Sequence, residues 1–272
     1  MQYDPIKKSL GTVFNRTPKL RILFYKLLDI LLLRAWYVRR EIKTWAGDPK
    51  VRNDRRRAML DAGSGFGQYT YFLSGLNPFW FTNAVDVKEE QIADCTAFFS
   101  KINRGNVLFE KADLTTFNYP DKFDLILSVD VMEHIADDEK VFRNFYDSLT
   151  QQGMLLISTP SDQGGSDVHD HETTSFIDEH VRDGYNINEI CEKLKRAGFR
   201  RTEASYSYGP QGKTGWRLSM KYPILMLNTS RMFFLLLPFY YILAWPVALI
   251  YNWLDMRSPH QSGTGLIVKA WK

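Results

Sequence analysis

The chain reads as an α/β protein built on a doubly wound, mostly parallel sheet. Three observations predict this class. Strand-like and helix-like segments alternate across residues 58–207. A glycine loop, GSGFG at residues 63–67, stands where the first strand turns into the first helix. Acidic residues stand at or just after successive strand ends: Asp61, Asp86, Asp113 and Asp130. With 272 residues, 44% hydrophobic and 24% charged, the chain can bury a core, which excludes wholesale disorder. Its two cysteines, Cys95 and Cys191, can build neither a disulfide framework nor a cysteine zinc site. They fit buried thiols in a reducing compartment.

The order of elements follows from composition and period. Residues 1–57 form a basic, amphipathic N-terminal helical region, with 15 Lys/Arg against 5 Asp/Glu. The remainder carries 20 against 26, so a net charge of +4 hides a basic arm on a mildly acidic body. The start, MQYDPIKK, is not followed by a short apolar run with a small-residue cleavage site, so no signal peptide is expected. Residues 19–45 are apolar at helical spacing but interrupted by Lys19, Arg21, Lys26, Asp29 and Arg34. They predict an amphipathic helix that caps the core with one face and can lie on an anionic membrane with another, Trp36 and Trp45 near the headgroups.

The core is expected over residues 58–207. Strands are predicted at 58–62, 79–87, 107–110, 123–129, 153–159 and 199–206. Helices are predicted at 68–75, 88–103, 137–149 and 186–197, the last ended by Gly198. Residues 208–258 hold an apolar insertion, and residues 259–272 a final strand of the same sheet.

The glycine loop and its followers point to a nucleoside site. Gly63, Gly65 and Gly67 allow positive φ and close ligand approach, and the following helix N-terminus favours a carboxylate or phosphate. Nineteen residues after Gly67, Asp86 ends the second strand, where a carboxylate can accept both hydroxyls of a ribose. After the third strand, Asp113 could accept from an adenine amino group and the Leu114 amide could donate to a ring nitrogen. The fourth strand ends in Ser128-Val129-Asp130.

These motifs together resemble a class I S-adenosylmethionine-dependent methyltransferase, in the broad group that includes the ubiquinone- and menaquinone-biosynthesis type enzymes. The carrying residues are LDAGSGFGQYT (60–70), VDV (85–87), ADL (112–114), FDLILSVDVMEHI (123–135) and QQGMLLISTPS (151–161). They cover about half the chain. The resemblance implies a Rossmann-like seven-stranded sheet whose last strand is antiparallel and pairs with the sixth. It implies S-adenosyl-L-methionine as cofactor and S-adenosyl-L-homocysteine as product. Asp61, Gly63, Ser64, Gly65 and Gly67 would hold the methionine moiety. Asp86 with Val87 would hold the ribose, and Ala112, Asp113 and Leu114 the adenine. Asp130 and Val131 would line the methionine side. A nicotinamide dehydrogenase of the same fold needs glycine where Gln68 stands.

Methyl transfer to a phenol, enol or alcohol also needs a general base. His134, in VMEH after the fourth strand, is one candidate. His169 and His171, in the polar loop SDQGGSDVHDHETTSFIDEH, are others; Gly164 and Gly165 would let that loop act as a lid. Asp167, His169, Asp170, His171 and His180 could in principle ligate a metal, but no metal is expected. Arg182 could meet an anionic acceptor or pair with Asp178 or Glu179.

Residues 232–254 carry no charge over 23 positions and are rich in aromatics, which suits membrane contact. Pro238 and Pro246 would kink this segment, and residues 218–227 would form a partner helix. If residues 264–271 pair with 199–206, both ends of the insertion lie on one side, so it goes in and returns. The expectation is a monotopic or re-entrant element on the cytoplasmic side of a membrane, with a small hydrophobic acceptor methylated at oxygen. A nucleic-acid methyltransferase using the basic arm is disfavoured, because Ser128-Val129-Asp130-Val131 stands where an Asn/Asp-Pro-Pro-aromatic signature would lie. A non-catalytic cofactor-binding module remains an alternative, although Asp86 and the glycines are present. The sequence leaves the oligomeric state open.

Overall fold

The computed structural model describes residues 17–52, 56–164 and 181–272. Two helices lead, α1 (Pro18–Leu31) and α2 (Leu33–Gly47). The core then runs β1 (Ala58–Ala62), α3 (Gln68–Leu73), β2 (Phe81–Asp86), α4 (Glu89–Lys101), β3 (Val107–Lys111) and β4 (Phe123–Val129). It continues with α5 (Asp138–Ser148), β5 (Leu149–Pro160), α6 (Ile187–Ala197) and β6 (Arg201–Ser207). An insertion of α7 (Pro210–Trp216), α8 (Tyr222–Thr229) and α9 (Leu237–Arg257) precedes β7 (Gly265–Trp271).

One seven-stranded sheet has the order β3-β2-β1-β4-β5-β7-β6. Strands β1 to β5 pair in parallel, and β7 runs antiparallel to both β5 and β6. The strand order reverses between β1 and β4, which in open α/β sheets is the ligand-binding crevice. Central strands covered on both faces are predominantly apolar, and β4 (FDLILSV) is so apart from Asp124 and Ser128. Its odd residues Leu125 and Leu127 join Met59, Leu156 and Ile267 on the face covered by α2. Its even residue Ile126 joins Leu60, Leu155 and Val268 on the face covered by α5 and α6. The buried Asp124 pairs with Arg57 (2.8 Å) and accepts the Ala58 amide. The cap of α6 is as the sequence indicates: Asn186 accepts from Asn188 N–H and Glu189 N–H, and Gly198 closes the helix at φ 116°.

Three elements depart from expectation. The helix over 19–45 is two helices, broken at the extended Leu32. Its second half is a layer of the core, not a free membrane face: Val38 and Ile42 are fully buried. Trp45 packs edge-on against Trp80, at 5.4 Å, and so is removed from any headgroup. Strand β5 begins at Leu149 rather than 153, with a register irregularity opposite Phe123 and Leu125. A Cβ on Gly153 would stand 2.9 Å from the Phe123 carbonyl oxygen, so glycine permits the irregular pairing. In the insertion, the partner helix α8 follows a π-helical turn, Arg217–Lys221. A 3-10 turn at Arg231–Leu235 precedes α9. Pro238 does not kink that helix; it occupies the first turn, where a missing N–H costs nothing.

The insertion is fastened at its base by Asp255, which is fully buried. Its carboxylate accepts from Tyr37 Oη of α2 (2.7 Å) and from the Gly212 amide of α7 (2.8 Å). His260 Nε2 stands 3.2 Å away. Gly212 and Gly215 let α7 approach this close: a Cβ there would stand 2.7 Å from Asp255 Oδ2 and 2.4 Å from Asn252 Oδ1. Replacing Asp255 with alanine strands the buried Gly212 amide and leaves the Tyr37 hydroxyl only its longer bond to the Asp255 carbonyl, at 3.1 Å. Urea unfolding should then show a loss of about 3 kcal/mol, with Asp255→Asn costing less because one acceptor survives.

Candidate active site

The site is assembled at the carboxyl edge of β1, β2, β3 and β4. Neighbouring order in the sheet places the ends of these strands side by side, so Asp61, Asp86, the residues after β3 and Asp130 form one row. The glycine loop crosses it. Gly63 and Ser64 donate their amides to Val85 O, both at 2.9 Å. Gly63, Gly65 and Gly67 have φ of 84°, 52° and 84°, the left-handed region that the sequence anticipates. Around Gly65 an added Cβ would meet one atom, Gln91 Oε1 at 3.9 Å, so space rather than protein lies over the loop.

Asp86 is fixed by two backbone donors. Its Oδ2 accepts from Gly65 N–H and its Oδ1 from Lys88 N–H, each at 2.9 Å. Each oxygen keeps lone pairs for further donors. Val87 is exposed beside it, and Ala112 N–H donates to Asp86 O. Asp113 is exposed, and its Oδ1 accepts from the Thr115 amide and hydroxyl, which lowers its pKa. The Leu114 side chain is buried in the core. Ser64 is buried, and its Oγ has no hydrogen-bond partner among the described residues. It therefore keeps a donor and an acceptor for a water or a polar ligand.

Asp61 is buried and accepts from Thr70 Oγ1 at 2.6 Å. Burial pushes its carboxyl up to about 7, partly opposed by the Thr70 hydroxyl. Asp130 ends β4 at φ 50° and forms an ion pair with Arg34. Val131 packs on Gly63, where a Cβ would stand 2.2 Å from a Val131 methyl. His134 is exposed in the 3-10 turn Met132–His134. His169 and His171 lie outside the described residues, as do Asp167, Asp170, Asp178, Glu179 and His180. Among the described residues, Arg182 pairs with the buried Asp138 (2.7 Å) and donates to the carbonyls of Met132 and Ala136, bracing the turn that carries His134.

The sequence reading passed over the contribution of the N-terminal helices. Arg34, in the first turn of α2, reaches Asp130. Its Nε is buried with no hydrogen-bond partner among the described residues, and its amide donates to Tyr208 Oη at 3.0 Å. From α1, Tyr25 Oη and Arg21 Nη2 both donate to Phe66 O, clamping the glycine loop from outside. Arg21 also pairs with Asp94 (2.6 Å) and contacts Cys95 Sγ (3.2 Å). Burial pushes the Cys95 thiol up to about 12, so it is an inert packing group. Glu133 is buried, accepts from Thr159 Oγ1 at 3.1 Å, and is held above the usual carboxyl range by burial.

A family described as methyltransferase domain matches residues 53–207, more than half of the chain. The chain belongs to this family. It is a class I methyltransferase-domain protein, and its seven-stranded sheet agrees. A phosphoethanolamine N-methyltransferase of Triticum aestivum is 37% identical over 94 residues, 34% of this chain and 18% of that protein. A malonyl-[acyl-carrier protein] O-methyltransferase of Bacillus anthracis is 30% identical over 118 residues, 43% of this chain and 41% of that protein. The chain thus spans less than half the length of either relative. Among solved structures, a Haemonchus contortus phosphoethanolamine N-methyltransferase bound to phosphomonomethylethanolamine and S-adenosylhomocysteine superposes with TM-score 0.62. That match has 18% identity and covers 97% of this chain and 59% of that one. The [4+2]-cyclase SpnF superposes with TM-score 0.56 at 16% identity, over 86% of this chain and 80% of that one. The fold alone therefore does not name a reaction.

The buried Asp61 has a measurable signature. Its unfolded value is the ordinary 3.8, and its folded value is about 7. Between these limits the native protein holds a proton that the unfolded chain has lost. Stability should therefore fall as pH rises through that window and level off above it. Urea midpoints taken across the window should show this slope, and Asp61→Asn should flatten it.

Proposed function

We propose that this chain transfers a methyl group from S-adenosyl-L-methionine to a small hydrophobic or lipid-like acceptor, at oxygen, on the cytoplasmic face of a membrane. The donor half of the reading rests on family membership and on a site that fits the donor. Asp86, with lone pairs left on both oxygens, suits the ribose hydroxyls. The partnerless Ser64 hydroxyl and the open side of Gly65 suit the methionine moiety, and the residues from Ala112 to Leu114 the adenine. Asp61 beneath the loop and Arg34 across from it supply a carboxylate and a guanidinium for the ammonium and carboxylate of an amino-acid end. Release of Arg34 from Asp130 is the exchange this would require. The donor supplies an activated methyl on a sulfonium sulfur. The chain has to hold donor and acceptor in line, keep water out, and take a proton from an acceptor hydroxyl. His134, His169 and His171 remain the proposed candidates for that base.

The acceptor half rests on one observation. β6 is parallel to β5, so Ser207 and Gly265, the two feet of the insertion, lie at the edge where β5 ends. The apolar insertion leaves the sheet on the same edge as the donor site. An acceptor dissolved in a bilayer would meet the site without crossing the protein. The relatives act, by their names, on phosphoethanolamine and on a malonyl thioester carrier. Their matched portions are 94 and 118 residues of this chain.

Two measurements test this. Calorimetric titration with S-adenosyl-L-homocysteine should show binding that Asp86→Ala weakens by at least tenfold, about 1.4 kcal/mol or more. Lack of binding to folded wild type would dismiss the donor assignment. With labelled donor, label should enter an organic extract of membranes and not phosphoethanolamine or an acyl carrier. The opposite partition would overturn the acceptor class.

A further inference from the structure

We propose that the insertion, residues 208–258, docks on the anionic face of a lipid bilayer and lies along the leaflet rather than across it. This rests on the membrane reading above and specifies the partner.

The first observation is inverted sidedness. On α9 the residues turned to the protein are small or polar: Ala244, Ala248, Asn252 and Asp255 are buried. The outer face carries Phe239, Ile242, Leu243, Val247, Ile250 and Leu254, from 39% to 76% exposed. Their period is helical, yet the apolar stripe faces away from the core, opposite to the helices of a soluble domain. An exposed continuous stripe of this kind marks an interaction surface.

The second observation is charge. The cations of this segment are Lys213, Arg217, Lys221, Arg231 and Arg257, and its one acid is Asp255. That acid is fully buried. Every charge the segment can present outward is therefore positive. Lys213, Arg217 and Lys221 recur at four-residue spacing along α7 and the π-helical turn, all exposed or half-buried. This arm lies against α9, joined by Asp255 to Gly212 and by Tyr240 and Tyr241 to the carbonyls of Leu218 and Ser219. An apolar helix beside a basic one is the composition of an element at an anionic interface. A second copy would bring the same sign of charge to the contact, which argues against self-association.

The third observation is geometry. At 21 residues α9 is about 31 Å long, enough to cross a bilayer. The two feet of the whole insertion are nonetheless neighbours in the sheet, Ser207 opposite Gly265. The far turn runs from the polar Asn228, Thr229 and Ser230, whose hydroxyl accepts from Met232 N–H, into Met232, Phe234, Leu235 and Leu236, which are 51% to 77% exposed. Apolar surface is thus exposed at the turn as well as along the outer face of α9, while Lys213, Arg217 and Lys221 run along the neighbouring arm. Lying along the leaflet buries the apolar surface and keeps these cations among the headgroups, whereas end-on insertion would draw them into hydrocarbon.

The test uses the full chain and flotation with vesicles of phosphatidylcholine, alone or mixed with phosphatidylglycerol, at low and high salt. Wild type should prefer the mixed vesicles by roughly 100-fold at low salt, about fivefold for each of three cations, and lose this preference at high salt. Lys213→Gln/Arg217→Gln/Lys221→Gln should abolish the preference and keep residual binding to phosphatidylcholine. Ile242→Ser/Leu243→Ser/Ile250→Ser, all at exposed positions, should abolish binding to both. Tags at both termini of vesicle-bound protein should be digested from outside, and protection of one tag would overturn the in-plane arrangement. Equal, salt-independent binding to both vesicles would overturn the anionic partner and leave the membrane reading intact. Absence of binding to either would sink both. A concentration-dependent dimer in light scattering, dissolved by the serine variant and indifferent to vesicles, would assign the stripe to a second copy instead.

Discussion

Because β7 runs antiparallel between β5 and β6, the chain must enter it from the edge at which those two strands end. The connection from β6 to β7 therefore cannot wander. It starts and finishes at the carboxyl edge, beside the ends of β1 and β4 that carry Asp61 and Asp130. Whatever is placed in that connection becomes a wall or an approach of the site. Here the connection is a hairpin of helices with an apolar exterior, so the hydrogen-bonding pattern of one strand sets what surrounds the candidate site.

Helix α2 is the member that both systems share. Its apolar side covers the sheet through Val38 and Ile42. Near its start, Arg34 holds Asp130 and donates its amide to Tyr208, the first residue beyond β6. One helical turn on, Tyr37 holds Asp255 at the base of the insertion. Site, sheet and insertion thus all rest on one helix, the sheet by apolar packing and the other two by polar contacts. The family match begins at residue 53, after this helix. The part of the chain that joins the catalytic edge to the apolar hairpin lies outside the part that carries the family signature.

Most of the core was legible because its signals are local. A strand covered on both faces is mostly apolar along its length, as in residues 123–129, and a positive-φ turn selects glycine, as at 63, 65 and 67. Both act within a few residues. Arg21, Arg34 and Asp255 were not legible for the converse reason. In sequence they resemble solvated charges, and only the fold supplies Phe66 O, Asp130 and Tyr37 as partners. The break at Leu32 has no glycine or proline to announce it; it follows from the need to seat Tyr25 on the glycine loop and Val38 on the sheet. Pro246 and Pro238 look alike in sequence, yet Pro238 sits in the first turn of α9 and Pro246 in its interior. The apolar residues from 232 to 254 were visible as a block. Their division into a small, polar inner face and an apolar outer one required the partner arm.

The register of the last two strands has a wider consequence. Ser207 and Gly265 are hydrogen-bonded neighbours, so the 57 residues between them form a closed excursion from a β-hairpin. Replaced by a tight turn, β6 and β7 would still pair residue for residue, and no strand would need rethreading. The insertion is topologically a graft. An ancestor or descendant of this chain could exchange it in one event, leaving behind the bare Tyr37 hydroxyl on α2 as the scar.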